Sequence, residues 1–463
     1  MRSSGRIISV RVRKPLTVLL ISYHFEPSNE IGGRRPTALA HFLVRQGIRV
    51  VVVSAFAGNP EKVGSSEIPG IVAINVSRPR KWLIDALVAY KQRTASKTDQ
   101  SRAISAPSPV ASDHYAPGIL ATLRQAFFRL VYVIDEHKRW AWRASNVAVK
   151  AGRTYGASLV LSSAPPTSVL LAGARAARRL RVPYIADLRD PWIESIGSDH
   201  SISLRLQQYL ERQIAIQAAA ITSTSSGVAA LMVSRHPWLS GKVHVVRNGY
   251  DSEPSIVERQ TGHRLSILFA GELYVGRDPF PFLSAIESLL ALKDTDASRI
   301  AVTFMGRSST YAGQSLDAWM KGKRCAAIVN LRPQLPRGAV VEAVAASTVL
   351  LNLSQGQRLS IPAKTFEHLT AGREMLLLCE DDCETAQLVA GVSGVVQVDP
   401  RDSSKLLTAL SDLYQRHVIE GQLSAPSAHD LSRFSREAAN EVMLRVVRDV
   451  LYGSASPSGV SDT

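Results

Sequence analysis

Cysteine is scarce in this sequence: Cys325, Cys379 and Cys383 are the only three, with no Cys-x-x-Cys spacing and no neighbouring histidine cluster. That excludes a disulfide framework, gives no zinc site, and fits a reducing cytoplasm. Long apolar runs are missing as well, since none approaches the roughly 20 residues needed to span a bilayer. The run from Leu16 to Ser22, behind a basic start from Met1 to Lys14, is too short for a signal peptide and reads as a first strand. Neither half carries Gly-x-Gly-x-x-Gly after its first strand, which argues against a hydride-transfer enzyme. Acidic residues are in deficit, 39 against 55 Lys plus Arg, for a formal net charge of +16. Nucleic acid, an anionic membrane or phosphorylated substrates would each match that surplus. Aromatic residues do not interleave with the basic ones in a nucleic-acid pattern, so no nucleic-acid partner is expected and an anionic membrane surface fits better. The charge concentrates in Arg2, Arg6, Arg11, Arg13 and Lys14, and again from Arg78 to Arg102, interrupted only by Asp85 and Asp99.

What is present is an alternation of apolar runs and amphipathic stretches over 463 residues, long enough for two cores. Thr17–Ser22 and Ile48–Ser54 read as buried parallel strands around a helix holding Leu39, Ala40, Leu43 and Val44 on one face. Between them a loop is expected at Gly32-Gly33-Arg34-Arg35, where backbone N–H groups and guanidinium groups would meet a phosphate or an acceptor; an ordinary turn with surface arginines is the alternative. Residues 60 to 118 break the rhythm, and a basic, flexible insertion is expected at about 78–117. Ile119 to Val133 resumes helical spacing, and Trp140 and Trp142 begin a further helix. Strands at Leu159–Ser163 and Val182–Ala186 flank a helix at Ser168–Leu180, and the second strand runs into Asp187-Leu-Arg-Asp-Pro-Trp192. Those three charges are either functional or a self-satisfied salt-bridge loop. The polar stretch Glu253 to His263 is the expected boundary, after which Leu265–Ala270, Ala301–Met305, Thr348–Leu353, Met375–Cys379 and Val395–Val398 repeat the alternation.

One stretch of the second half stands out: Ser360-Ile-Pro-Ala-Lys-Thr-Phe-Glu-His-Leu-Thr-Ala-Gly372. Pro362 suits a first helical turn and Gly372 the residue past the last one. Lys364, Glu367 and His368 share a face at i, i+3 and i+4, while Phe366 and Leu369 point inward. A strand, a loop and a helix with a cation near its start form an anion-binding layout. A solvated ion pair on a surface helix is the alternative.

Taken together, five pieces resemble one family over nearly the whole chain: Ser22 to Pro36, Asp187 to Trp192, Val246 to Asp251, Phe269 to Pro279 and Ser360 to Gly372. The sequence resembles a family 4-type glycosyltransferase of the GT-B fold. The resemblance implies an α/β protein with two Rossmann-like, doubly wound domains facing an interdomain cleft. The domains would be an acceptor-binding one at 1–252, a donor-binding one at 264–430, a C-terminal helix at 431–452 crossing back to the first, and a disordered tail at 453–463. It also implies a retaining transfer of a hexosyl-type sugar from a nucleotide-sugar donor to a lipid-linked or glycan acceptor. The setting would be surface-polysaccharide or glycolipid synthesis, with the protein cytoplasmic and peripheral on the inner face of the membrane.

Carried over by position, Arg277 and Lys364 would neutralise the donor diphosphate, with N–H groups at Ser360 and Ile361 assisting, and Glu367 would hold the ribose. Asp187, Arg189 and Asp190 would be the catalytic charges, and Gly32, Gly33 and Arg34 the phosphate or acceptor loop. No metal and no cofactor is expected. The chain departs from the family at two places: the first of two motif glutamates is Leu359, and Arg189 stands where many members carry a histidine. Those departures keep open a non-catalytic binding or scaffold subunit, and a sugar-nucleotide epimerase on the same fold.

Overall fold

The computed structural model describes residues 16–28, 30–55, 70–77, 135–193, 202–251, 263–422 and 424–453. The insertion expected at about 78–117, the helix expected at 119–133 and nearly all of the linker and tail lie outside them.

Fifteen strands and thirteen α-helices follow one another among the described residues. In the first half they are β1 Thr17–Ser22, α1 Ile31–Arg45, β2 Arg49–Ser54, β3 Ile71–Asn75, α2 Lys138–Tyr155, β4 Leu159–Ala164 and α3 Ser168–Leu180. Next come β5 Tyr184–Leu188, α4 Ile202–Gln217, β6 Ala220–Ser223, α5 Ser226–Arg235 and β7 Val243–Val245. A seven-stranded sheet has the order β3-β2-β1-β4-β5-β6-β7. Every residue of β1 is buried, and β1 pairs in parallel with both β2 (Val18 to Val50) and β4 (Val18 to Leu159). An unbroken apolar strand covered on both faces is what a parallel sheet requires. β3 lies in a region the sequence reading treated as irregular. Its pattern is weak because only Ile71 is fully buried and the other four residues are half-exposed at the sheet edge.

The second half contains β8 Leu265–Ala270, α6 Phe280–Leu289, β9 Ile300–Met305, β10 Thr310–Tyr311, β11 Gln314–Ser315, α7 Leu316–Met320, β12 Val329–Arg332, α8 Arg337–Ala345 and β13 Val349–Leu353. It continues with α9 Ala363–Leu369, β14 Glu374–Leu378, α10 Glu384–Val389, β15 Val395–Val398, α11 Ser403–Tyr414, α12 Ala428–Ser432 and α13 Arg436–Tyr452. Six strands form a parallel sheet in the order β12-β9-β8-β13-β14-β15. The period of two is visible in β14: Leu376 and Leu378 enter one core cluster, while Met375 and Leu377, with Cys379 after them, enter the other. Helix starts follow local chemistry. Asp402 caps α11 through Lys405 N–H at 3.0 Å, and Ser435 caps α13 through Ala438 N–H at 3.1 Å. All three cysteines are free and buried.

Contacts divide the chain into two compact units, Met1–Asp187 with Trp192–Ala218, and Leu188–Pro191 with Ala219–Thr463. The division falls earlier than the polar linker chosen from sequence, for a local reason. Arg436 N–H donates to Tyr250 O, and Tyr250 N–H donates to Phe434 O at 3.2 Å. Arg436 also pairs with Asp251, and Ser225 donates its hydroxyl to Leu359 O at 2.5 Å. Residues 219–251 are therefore bound to the C-terminal helices and to the loop before α9. No helix among the described residues is long and apolar enough to cross a membrane.

Candidate functional site

In the first unit, the charges around β5 are built into the scaffold. Asp187 is 1% exposed, and its carboxylate accepts from Arg35 Nη2 at 2.8 Å, Arg35 Nε at 3.1 Å and Ser163 Oγ at 2.7 Å. Arg35 is itself buried in α1, so one bidentate pair and one hydroxyl tie α1, β4 and β5 together. Sequence reasoning placed Asp187 among the catalytic charges and passed over Arg35 in favour of Arg34. In the structure Arg34 is exposed, while Arg35 is the guanidinium that reaches inward to Asp187. The signal available was two adjacent arginines of which one position, by helical phase, must face the sheet.

The open loop expected at Gly32, Gly33 and Arg34 is instead the first turn of α1, and Gly33 N–H is spent on Glu30 O at 2.8 Å. Two glycines read as loop from propensity alone, yet both lie in the first turn of α1.

Arg189 and Asp190 belong to the second unit. The Arg189 carbonyl accepts from Thr224 Oγ1 at 2.6 Å. Desolvation raises the Asp190 carboxyl above its usual range, with Arg189 opposing the shift, although the side chain keeps solvent access.

The richer site of the second unit lies where the carboxyl ends of β8 and β13 release their loops. The loop after β8 carries Arg277, which is only 8% exposed. Its Nη1 donates to Glu272 O at 3.3 Å, its guanidinium lies 4.2 Å from the Tyr274 ring centroid, and its Nε has no partner. Burial lowers its pKa, with Tyr274 and Glu272 opposing. The loop after β13 is fastened to it: Gln355 Nε2 donates to Asp278 O at 2.8 Å, and Gln357 Nε2 to the Tyr274 hydroxyl at 3.4 Å. Glu380 accepts Gly356 N–H at 3.1 Å through both oxygens.

From that loop the chain enters α9. Lys364 donates to Ala270 O. Burial, then the charge of Arg277, pushes its ammonium pKa down to about 8, against the opposing carboxylates of Glu367 and Glu272. His368, buried one position beyond Glu367, has its pKa pushed down to about 3 by burial and by the charges of Lys364 and Arg277, so its ring is neutral. Its Nδ1 has no partner. Phe366 and Leu369 are buried as their spacing predicted, and Glu367 is exposed. The helix is held from beneath by Asn352, which donates to Thr365 Oγ1 at 3.1 Å and accepts from Ser354 Oγ at 3.0 Å.

Two details differ from expectation. Helix α9 begins at Ala363 with Pro362 as its N-cap, so Ser360 and Ile361 precede it, and Ile361 is buried in an apolar cluster. The other is Gly271, whose steric role the sequence did not show: a Cβ there would lie 2.1 Å from Lys364 Nζ. Arg277, Lys364 and His368 thus share one field, with one buried and one half-buried cation, two unpartnered ring or guanidinium nitrogens, and no metal-holding group of His, Cys, Asp or Glu among the described residues. Such a cradle attracts an anion, because desolvated cations gain most from a compensating charge.

Structural comparison gives the architecture a name. The chain aligns with sucrose-phosphate synthase from Thermosynechococcus elongatus over 95% of its own length and 100% of that chain, at TM-score 0.57 and 12% identity. It aligns with a trehalose-6-phosphate protein from E. coli bound with UDP-2-fluoro glucose over 94% and 99%, at TM-score 0.57 and 12% identity. This chain has the GT-B glycosyltransferase fold. A lipopolysaccharide outer core galactosyltransferase aligns over 93% and 99%, at TM-score 0.52 and 12% identity. At such identities the likeness speaks for the fold. By sequence, residues 104–254 match the family model of Glycosyltransferase Family 4. No curated protein matches the chain.

Proposed function

We propose that this protein is a retaining, hexosyl-type glycosyltransferase that moves a sugar from a nucleoside-diphosphate sugar to a lipid-linked or glycan acceptor. The observation that carries the proposal is the Arg277–Lys364–His368 group, buried at Arg277 and His368 and half-buried at Lys364, with its unpartnered nitrogens, on a fold shared with glycosyltransferases. Departure of a nucleoside diphosphate leaves charge on its oxygens, and fixed cations aimed there lower the barrier. Arg277 and Lys364 take the diphosphate in this reading, the Ser360 and Ile361 backbone borders it, and Glu367, exposed on α9, takes the ribose. Neutral His368 offers a hydrogen bond without adding a third charge. Asp190 is the accessible carboxyl of the charged segment, Arg189 orients it, and Asp187 holds the strand that delivers them. Gly32, Gly33 and Arg34 border the acceptor. The likeness to a structure bound with a UDP-sugar analogue and to a lipopolysaccharide galactosyltransferase supports the donor and acceptor classes. The net charge of +16 supports work at an anionic inner membrane face in surface-polysaccharide or glycolipid synthesis.

A second reading is a non-catalytic member of the same fold. One observation favours it: Leu359, where a motif glutamate was expected, packs beside Gly227 with its carbonyl taken by Ser225. Calorimetry with UDP, GDP, ADP and dTDP, followed by donor turnover with the matching sugars, separates the two. Binding with turnover supports the transferase, binding alone supports the second reading, and no binding overturns both.

A further inference from the structure

The first unit carries a basic surface that the sugar-transfer site does not use. Helices α2 and α3 pack against each other on the first sheet, and neither contains an acidic residue. Trp140 of α2 is buried, with its indole N–H donating to Val76 O at 2.8 Å. Two residues later Trp142 points outward and is 61% exposed. The Arg175 guanidinium of α3 lies 5.2 Å from its ring centroid. Arg175 Nη1 also donates to Ser145 Oγ at 3.3 Å, and Arg179 Nη1 reaches Asn146 Oδ1 at 3.5 Å. Around the exposed indole stand Arg139, Arg143, Lys150 and Arg153 on α2, and Arg178, Arg179 and Arg181 at the end of α3, all exposed.

None of these cations has a carboxylate partner among the described residues. The acids nearest in sequence are engaged at the amino ends. Asp135 accepts from His137 N–H at 2.8 Å and from Ser168 N–H at 2.6 Å, and Glu136 lies 3.5 Å from His137. The like charges act on one another, since Arg178 and Arg179 join desolvation in lowering the Arg175 pKa. Surface charges of a folded protein are commonly interspersed by sign, so a two-helix face of one sign needs an external countercharge.

We infer that this α2–α3 face is the surface by which the protein docks on an anionic lipid bilayer. An indole flanked by arginines suits the headgroup layer, where the ring sits at the apolar boundary and the guanidinium groups remain with phosphates. Among the described residues only Trp142 offers an exposed large aromatic ring on the face, which is too few for stacking successive bases. The inference deepens the membrane part of the proposed function and is independent of its chemistry.

The test is flotation of the full-length protein with phosphatidylcholine vesicles, with and without phosphatidylglycerol, in 0.1 M salt. Wild type is expected on the anionic vesicles only. Each cation near such a surface strengthens binding about fivefold, so Arg143→Gln/Arg178→Gln/Arg179→Gln should weaken it about a hundredfold while nucleotide binding is unchanged. A control variant, Arg299→Gln/Arg324→Gln/Lys405→Gln, removes equal charge from the second unit and should lose far less. Brominated lipid chains should quench indole fluorescence in wild type and less in Trp142→Phe. Failure of wild type to float overturns both the face and the membrane reading. Equal floating by the α2–α3 variant, or equal loss in the control, overturns the face alone. Tighter binding to single-stranded RNA than to vesicles, lost in the same variant, would assign the face to nucleic acid and overturn the inference.

Discussion

Replacing Gly271 by alanine separates the anion site from the fold that carries it. A Cβ at 271 would fall 2.1 Å from Lys364 Nζ and 3.4 Å from Lys364 Cε, and the next atom is the Phe269 ring at 3.6 Å. The atom in the way is the tip of a flexible side chain. The ammonium can swing off Ala270 O at the expense of one hydrogen bond, about 1 kcal/mol. Folding stability should therefore change by about 1 kcal/mol or less. A displaced Lys364 would no longer meet the diphosphate, and losing one charge-assisted hydrogen bond of about 1.5–3 kcal/mol weakens nucleotide binding about 10- to 150-fold. Gly306 provides the contrast. It sits at φ +122°, and a Cβ there would lie 2.2 Å from the backbone oxygen of Gly271. Backbone cannot step aside, and the conformation itself costs a side chain about 1–3 kcal/mol. Gly306→Ala should lose folded protein, not merely affinity. Calorimetric titration with the preferred nucleoside diphosphate, alongside thermal unfolding of each variant, checks both. The reasoning is refuted if Gly271→Ala binds within twofold of wild type while Lys364→Ala does not, or if Gly271→Ala unfolds as readily as Gly306→Ala.

Other predictions follow from the same geometry. Lys364 titrates near 8 in the free protein, so nucleoside diphosphate affinity should be level from pH 6.5 to 7.5 and fall as pH rises past about 8; binding titrations across pH should lose that decline in Lys364→Met. His368 is buried neutral, with its pKa pushed down to about 3. The unfolded chain takes up a proton there below about pH 6.5, so this group makes wild-type stability fall with acidification, and His368→Gln should flatten the slope seen in denaturant titrations. Asp187→Ala strands the buried Arg35 charge and should cost about 3–5 kcal/mol, whereas Arg35→Met/Asp187→Leu should recover most of it; hydrogen exchange in β1 and β4 reports the difference. Transfer should persist in EDTA, because Arg277 and Lys364 are assigned the neutralisation of the diphosphate; loss on chelation that Mg²⁺ restores would reassign it.

Much of the fold was legible because parallel strands buried on both faces leave unbroken apolar runs. Thr17–Ser22 and Leu265–Ala270 coincide with β1 and β8, and Ser168–Leu180 with α3. Edge and short elements were not legible. β3 alternates weakly, and the two-residue strands β10 and β11 carry no periodic signal. At the site, the spacing of Lys364, Phe366 and Leu369 gave their orientation, since one helical turn fixes it. Gln355 and Gly271 were missed, because their parts depend on which loop lies opposite, a property of the folded sheet. The same limit explains Arg35: its partner Asp187 is distant in sequence and meets it only once β1, β4 and β5 are side by side.

The central claim is transfer of sugar from a nucleotide donor through the Arg277–Lys364 cradle. Its most direct measurement is incubation of the purified protein with a panel of radiolabelled nucleotide sugars and lipid-diphosphate acceptors, with NMR of the product anomer. The account predicts one donor class consumed, a product that keeps the donor's anomeric configuration, and near-complete loss of product in folded Arg277→Ala. Product formed undiminished by Arg277→Ala, or with inverted configuration, would contradict it.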